Sequence, residues 1–320
     1  MGYVVQNDKS RTGSGAGSRI GSRTGRRLRP RSLVVRCSLA VLATAAALAG
    51  CADSGPGGPA PAGLGGPAKA PDAASARLAE RRRMVAAARR WKLAQVPLTA
   101  PAPPGVKPRI TARDGFEVDH QEDEALPPVF TTVPTDKKIV FLTIDDGAEK
   151  DPRFLRMMRE LKVPYTAFLS DYLVKDDYGY FRRSQAYGNT LDNHTLTHPY
   201  LPGLSYEQQR HEICGMQDVM EEQYGKRPEV LRPPYGDYDQ DTLRAAKSCG
   251  IKYAPIWNEE VFVDHWEYRE DDQRLHRGDI VLTHFRGTDE WDGTMVDDMR
   301  RFLNKVTREG YAVARLEDYL

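Results

Sequence analysis

Asp145 and Asp146 stand side by side after the apolar run Val140–Ile144. Adjacent carboxylates at a strand end leave the chain on different sides, so one can hold a metal while the other stays free to accept a proton. Asp-Asp-Gly is also good turn chemistry, and alone the triplet says no more than that. His194 and His198 are four residues apart, a spacing that puts two imidazoles on one face of a helical turn. Neutral imidazole is a common zinc ligand. The residues between them are Thr-Leu-Thr, which excludes the His-Glu-x-x-His pattern of zincin proteases. Asp146 can supply a third ligand from its distant strand. Two histidines and one carboxylate leave coordination positions open for water and substrate, as a catalytic site requires.

Two further pieces extend this chemistry. Arg232 opens the turn Pro233-Pro234-Tyr235-Gly236. The prolines stiffen it and the glycine allows close backbone approach, so it can aim N–H groups at a developing oxyanion. His284 ends the strand-like run Ile280-Val281-Leu282 and reads as an acid or base, with a buried structural histidine as the alternative.

Strands and helices alternate from about residue 136 and must position these groups. Strands are expected at 138–144, 164–169, 190–191, 229–232, 251–257, 279–284 and 311–316. Helices are expected at 151–161, 178–187, 205–224, 240–249 and 295–308, with Ser205 as a cap supported by Glu207. Repeated βα units imply an α/β fold with a parallel sheet or barrel and its site at the strand C-terminal ends.

Thr143–Gly147, His194–His198, Arg232–Gly236, the stretch holding Trp257, Asp264 and Trp266, and Leu282–His284 resemble the five motifs of the polysaccharide deacetylases, the NodB homology domain of carbohydrate esterase family 4. The resemblance covers residues 136–320 and implies a distorted, incomplete (β/α) barrel. It implies removal of N-acetyl groups from a GlcNAc-containing polysaccharide such as peptidoglycan or a chitin-like polymer. Asp145 would be the general base, with Arg232 orienting it. Asp146, His194 and His198 would hold Zn2+, with Co2+ or another divalent metal as an alternative. The Tyr235 backbone N–H would meet the oxyanion, His284 would be the general acid, and Leu282 would line the acetyl pocket. Ile144 stands where the family usually has Phe. The fourth motif also departs, because Asp264 and Trp266 are separated by His265. Asp264 is favoured as the partner of His284, with Glu259 and Glu260 as rivals. Trp257, Trp266, Phe285 and Trp291 are candidates to line a sugar groove or to pack the core.

The rest of the chain concerns location. It has 320 residues, 28% charged and 40% hydrophobic, enough for one domain of about 200 residues plus extensions. Residues 1–50 hold nine Lys and Arg against Asp8, a surplus of +8, which leaves −7 for the remainder of a chain of net charge +1. A mildly acidic body argues against nucleic-acid binding. Arginines from Arg26 to Arg36 precede the apolar run Ser38–Gly50, too short for a membrane span of roughly 20 residues but fitting a signal sequence. Leu48-Ala49-Gly50-Cys51 resembles a lipobox, which implies export, cleavage before Cys51 and a lipid on its thiol; a secreted protein with an incidental cysteine is the alternative. The long start fits either a downstream initiation site or a twin-arginine signal around Arg26-Arg27.

Residues 51–135 then read as a tether. Residues 52–71 are rich in Ala, Gly and Pro, and residues 75–95 form a basic helix capped by Ser75. That helix either touches an anionic surface or stands as a solvated stalk. Cys214 and Cys249 lie on consecutive helices and form either a disulfide or two separate buried thiols. A monomer is assumed. Two rival functions remain at this level: an esterase acting on O-acetylated polysaccharide, and a catalytically inactive wall-binding lipoprotein.

Overall fold

A computed structural model describes residues 72–110 and 125–320. The expected signal segment and Cys51 lie outside the described residues. The elements in chain order are α1 (Ala73–Arg90), β1 (Val129–Phe130), β2 (Ile139–Asp146), α2 (Pro152–Leu161), β3 (Thr166–Leu169), α3 (Asp171–Val174), α4 (Tyr178–Ala186), β4 (Thr190–Asn193), α5 (Tyr206–Tyr224), α6 (Gln240–Ser248), β5 (Ala254–Pro255), β6 (Glu259–Val261), β7 (Trp266–Tyr268), β8 (Ile280–His284), α7 (Met295–Arg308) and β9 (Ala312–Ala314).

β2 is the axis of the fold. All eight of its residues are buried, as expected of a parallel strand covered on both faces. The main sheet runs β4-β3-β2-β8-β6-β7. Every pairing in it is parallel except the β6–β7 hairpin. β2 shares one edge between two partners: Ile139–Phe141 pairs with β9, and Thr143–Asp146 pairs with β3.

The wall continues past β4 through single bridges. Asn193 pairs with Leu231, Val230 with Tyr253, and β5 with β1. Ile280 N–H then donates to the Thr131 carbonyl, which returns the ladder to β8. A distorted α/β barrel results, closed in places by isolated bridges. The strands expected at 229–232 and 251–257 are therefore reduced to two bridges and the pair Ala254–Pro255. Pro228, Pro233 and Pro255 supply no ladder N–H, which keeps these segments short.

Alternation along β2 separates two cores. Ile139 and Phe141 join Phe130, Phe168 and Ile280 in one cluster, whereas Val140, Leu142 and Ile144 meet Phe154 and Met158 of α2 and Met299 and Phe302 of α7. The helices start where side chains cap them. Asp151 accepts from Arg153 N at α2, and Thr294 with Asp297 forms a capping box at α7. Ser205 caps α5 as expected, but Gln208, not Glu207, completes the box.

The expected boundary at residue 136 is corrected. α1 is capped by Asp72, which accepts from Ser75 N, so Ser75 is inside the helix. Ala87, Ala88 and Trp91 are buried in the main core. Trp91 Nε1 donates to Glu160 at 2.9 Å, and Arg300 Nε donates to the Trp91 carbonyl at 3.1 Å. Leu98 bridges to Ala312 beside β9. This segment is a buttress of the domain, neither tether nor free stalk. Cys214 of α5 and Cys249 at the end of α6 are joined by a disulfide.

Candidate active site

In β2, Thr143 and Asp145 continue the face begun by Ile139 and Phe141. The β8 register sets Leu282 opposite Thr143 and His284 opposite Asp145. The two carboxylates, the histidine and the leucine therefore converge at the strand C-terminal ends.

Arg232 is fully buried. Its Nη1 donates to Asp145 Oδ1 and to Thr143 Oγ1, each at 2.8 Å. Its Nε and Nη2 reach the Pro255 and Ile256 carbonyls at 3.1 and 3.3 Å. The guanidinium lies 4.3 Å from the Phe168 ring centre. This donor fork holds the Asp145 carboxylate in one orientation. Burial raises the Asp145 pKa to about 6, against the lowering pull of Arg232 and His284.

Asp146 ends the strand in the left-handed region, with φ 77°. Gly147 follows at φ 94°, where a Cβ would lie 2.4 Å from Val174 Cγ1, so only glycine fits. Asp146 Oδ2 accepts from Arg286 Nη2 at 2.9 Å. Its Oδ1 is buried and has no hydrogen-bond partner. That oxygen faces His198 Nε2 at 3.4 Å and His194 Nε2 at 3.7 Å. Ligands of a tetrahedral zinc ion, bonded at about 2.0–2.1 Å, stand about 3.4 Å apart. One ligand atom from each of the three residues lies within 4.8 Å of the others. An orphaned carboxylate oxygen among imidazole nitrogens fits a cation.

The histidines are set for ligation. His194 Nδ1 is 2.7 Å from the Arg232 carbonyl, which can only accept. The hydrogen is therefore on Nδ1, and Nε2 presents its lone pair. Burial holds both imidazoles below their usual pKa and so favours the neutral, ligating form. Asp146 is held low despite burial because the charges of His284 first, and of Arg286, stand beside it.

The helical turn expected for the pair is absent. Thr195 and His198 are both left-handed, at φ 70° and 57°. Asn193 Oδ1 accepts from Thr195 N at 2.8 Å. Glu212 of α5 accepts from Thr197 N and Thr197 Oγ1, both at 2.8 Å. A long-range carboxylate thus shapes the turn that the four-residue spacing suggested was helical.

The fourth-motif acid is also corrected. His284 Nδ1 lies 3.1 Å from Oε1 of Glu260, which is 1% exposed. Asp264 is exposed in the β6–β7 turn, and its Oδ1 pairs with His265 Nδ1 at 2.6 Å. The reason is register: Glu260 is opposite Leu282 in the β6–β8 ladder, whereas Asp264 lies beyond the end of β6. Burial opposes a charge on His284, but Glu260, with Asp146 and Asp145, outweighs it and raises the pKa to about 9.

Two groove candidates belong to the core. Trp266 stacks near Phe302 of α7 at 6.1 Å. Phe285 is fully buried, edge-on to Phe181 at 5.3 Å and to Phe154 at 5.8 Å. Trp291 lies 6.1 Å from Phe262. Trp257 packs on Gly236, where a Cβ would be 3.0 Å from the indole. Tyr235, at φ 63° and 47% exposed, sets its ring 4.6 Å from His198 and presents the aromatic surface beside the site. Sequence reasoning missed Arg286 and Glu212. Arg286 had a signal, two residues beyond His284; Glu212 had none.

Residues 132–254 match the family described as polysaccharide deacetylase. The chain is 40% identical over 203 residues to an uncharacterized protein of Streptomyces coelicolor, covering 63% of this chain and 81% of that one. It is 25% identical over 197 residues to a peptidoglycan-N-acetylglucosamine deacetylase of Bacillus cereus, covering 59% and 91%. It is likewise 25% identical over 198 residues to the peptidoglycan-N-acetylmuramic acid deacetylase PdaA of Bacillus subtilis, covering 58% and 73%. Among solved structures, a family 4 carbohydrate esterase from Bacillus anthracis aligns with TM-score 0.50 and 25% identity, over 60% of this chain and 86% of that one. A family 4 pseudoenzyme from the same organism shares the fold at TM-score 0.52 and 23% identity, over 62% and 71%.

The fold is a distorted α/β barrel with the candidate site at its strand ends, and the family match makes the class a hydrolase. The chain belongs to the polysaccharide deacetylase family, carbohydrate esterase family 4.

Proposed function

We propose that this protein is a metal-dependent deacetylase that removes N-acetyl groups from GlcNAc-containing polysaccharide of the cell wall. The observation that carries the reading is the orphaned Asp146 oxygen between two neutral imidazoles, beside an Arg232-braced Asp145 and a Glu260-paired His284. Relatives named as peptidoglycan deacetylases support the substrate class. A pseudoenzyme on the same fold means that fold alone cannot carry the activity, so the argument rests on this intact residue set.

Asp146, His194 and His198 would hold the ion. When bound, a divalent cation there polarises the acetamide carbonyl and acidifies water. Asp145, ionised above about pH 6, takes the proton of the attacking water. The tetrahedral oxyanion accepts from the Tyr235 backbone N–H. His284, protonated below about pH 9, gives its proton to the departing nitrogen. The C–N bond breaks, leaving acetate and a free amine. Leu282, two residues before His284 and on the same face of β8, would floor the acetyl pocket.

We also read the protein as exported and lipid-anchored at Cys51. The arginine-rich start and lipobox support this, and a disulfide between Cys214 and Cys249 fits an oxidising compartment. Acetate release from peptidoglycan and chitin oligosaccharides, with acetylxylan as comparison, tests the activity. Loss of release in chelator and its return with Zn2+ or Co2+ is the expected result. Equal release with and without chelator would overturn the metal assignment, and release from acetylxylan alone would replace amide by ester hydrolysis.

A further inference from the structure

A second group of unsatisfied ligand atoms lies at the opposite end of the same strands. Asp279 immediately precedes β8, Glu259 opens β6, and His276 lies in the segment joining β7 to β8. Asp279 and His284 are five strand steps apart along β8, about 16 Å at strand rise. Glu259 is 1% exposed and Asp279 is fully buried.

Glu259 Oε2, Asp279 Oδ1 and His276 Nδ1 are each buried, and no other group among the described residues donates to the two acid oxygens: they are satisfied only by a proton held between the two carboxyls or by a cation. One ligand atom from each residue lies within 4.8 Å of the other two. The remaining atoms of these side chains are fixed. Asn258 Nδ2 donates to Glu259 Oε1 at 3.0 Å, and His276 N–H donates to Asp279 Oδ2. His276 Nε2 meets Asp272 Oδ2 at 3.1 Å. A carboxylate only accepts, so Nε2 carries a hydrogen, and the ring turns its Nδ1 edge toward the two acids, 3.6 Å from Asp279 Oδ2. A carboxylate behind an imidazole is how ligating histidines are commonly oriented. Glu270 Oε2, 3.7 Å from His276 Nδ1, adds negative charge to the group.

We propose that Glu259, His276 and Asp279 form a second divalent-cation site, separate from the catalytic one and suited to Zn2+ or Mn2+ through one imidazole nitrogen and two carboxylate oxygens. Mixed nitrogen and oxygen donors favour a transition metal over Ca2+. Without an ion the pair must share a proton: burial and the neighbouring Asp279 raise the Glu259 pKa to about 10. Ion binding releases that proton. The site ties the β7–β8 segment to the first residue of β6. The next residue, Glu260, holds His284, so the ion would steady the frame of the general acid. The inference does not depend on what the catalytic site hydrolyses.

The test uses the full chain carrying His194→Ala and His198→Ala, which removes the catalytic ligands. Metal is counted by elemental analysis after equilibration with Zn2+ or with Mn2+. One ion per chain is expected to remain, and His276→Ala or Asp279→Asn should reduce it to none. The Tm of the double variant should rise with added metal and fall in chelator, a difference that His276→Ala abolishes. If the double variant fails to fold, the otherwise unaltered chain should hold two ions and His276→Ala one. A double variant without bound metal, or a Tm indifferent to metal and chelator, leaves the acids as a proton-sharing pair and overturns the proposal.

Discussion

Asp145 and Asp146 are neighbours of one chemical type, yet their surroundings assign them different work. Asp145 is gripped by Arg232, while Asp146 turns an unpartnered oxygen to two imidazoles. Asp145→Asn is expected to keep stoichiometric metal and to lower turnover by about 10²–10⁴-fold, because an amide cannot take the proton. Asp146→Asn should lose metal affinity and recover partly in excess zinc. Metal analysis beside acetate release decides it; a reversed pattern would exchange the two roles. In the proposed mechanism Glu260 acts through His284, whose Nδ1 it faces at 3.1 Å. With the Glu260 charge gone, the His284 pKa falls from about 9 toward the usual imidazole range. The general acid must be protonated, so activity is lost as pH rises through its pKa. Glu260→Gln should therefore draw the basic limb of the kcat/KM profile to lower pH, whereas Asp264→Asn leaves it in place. With Asp145 as the proposed base, the acidic limb is expected at or below about 6, since a bound cation would favour its ionised form. An unmoved basic limb in Glu260→Gln would remove Glu260 from this role.

Elements were legible in the sequence wherever period and caps agreed. β2, α2, α5, α7 and β8 follow from apolar spacing, with Ser205 read as the cap of α5; the structure adds Asp151 and Thr294 as the caps of α2 and α7. Asp145, Asp146 and His284 close β2 and β8, whereas His194 and His198 lie in the irregular turn after β4 and were singled out by their spacing alone. What escaped depends on partners distant in sequence. The His194–His198 turn is shaped by Glu212, and the choice of Glu260 over Asp264 follows from β6–β8 register, neither of which local pattern encodes. Glu212→Ala should loosen the turn without removing a ligand. A fall in metal affinity of about 10–100-fold, the usual worth of an outer-shell partner, is expected from titration against a chelator. The disulfide joins α5 to α6, the helices flanking the Arg232 turn. Cys214→Ala with Cys249→Ala opens a loop of sequence separation 35, and urea unfolding should show a loss of about 2–4 kcal/mol. No change in midpoint would mean that the helix packing alone holds this corner.

The extent of the domain is a property of the whole chain that composition concealed. Seven basic residues made 75–95 look like a solvated arm, and Pro-rich flanks made it look like part of a linker. Its exposed face is indeed basic, with Arg77, Arg81, Arg82 and Arg83 in solvent. The opposite side is what binds it. Ala87, Ala88 and Trp91 enter the main core, Arg90 pairs with Glu160 at 2.8 Å, and Lys162 pairs with Glu80 at 2.6 Å. Exposed pairs of this kind contribute little, so the buried indole carries most of the attachment. Trp91→Ala removes that ring and its bond to Glu160, and should cost about 3 kcal/mol, the lower end for a buried aromatic truncated to alanine. A chain shortened to residues 108–320 loses the indole, the Leu98 bridge to Ala312 and the cover over α2 together. It should unfold at lower urea than residues 72–320, with a smaller m-value because less surface is buried. Superimposable unfolding curves for the two lengths would return this segment to the role of a tether.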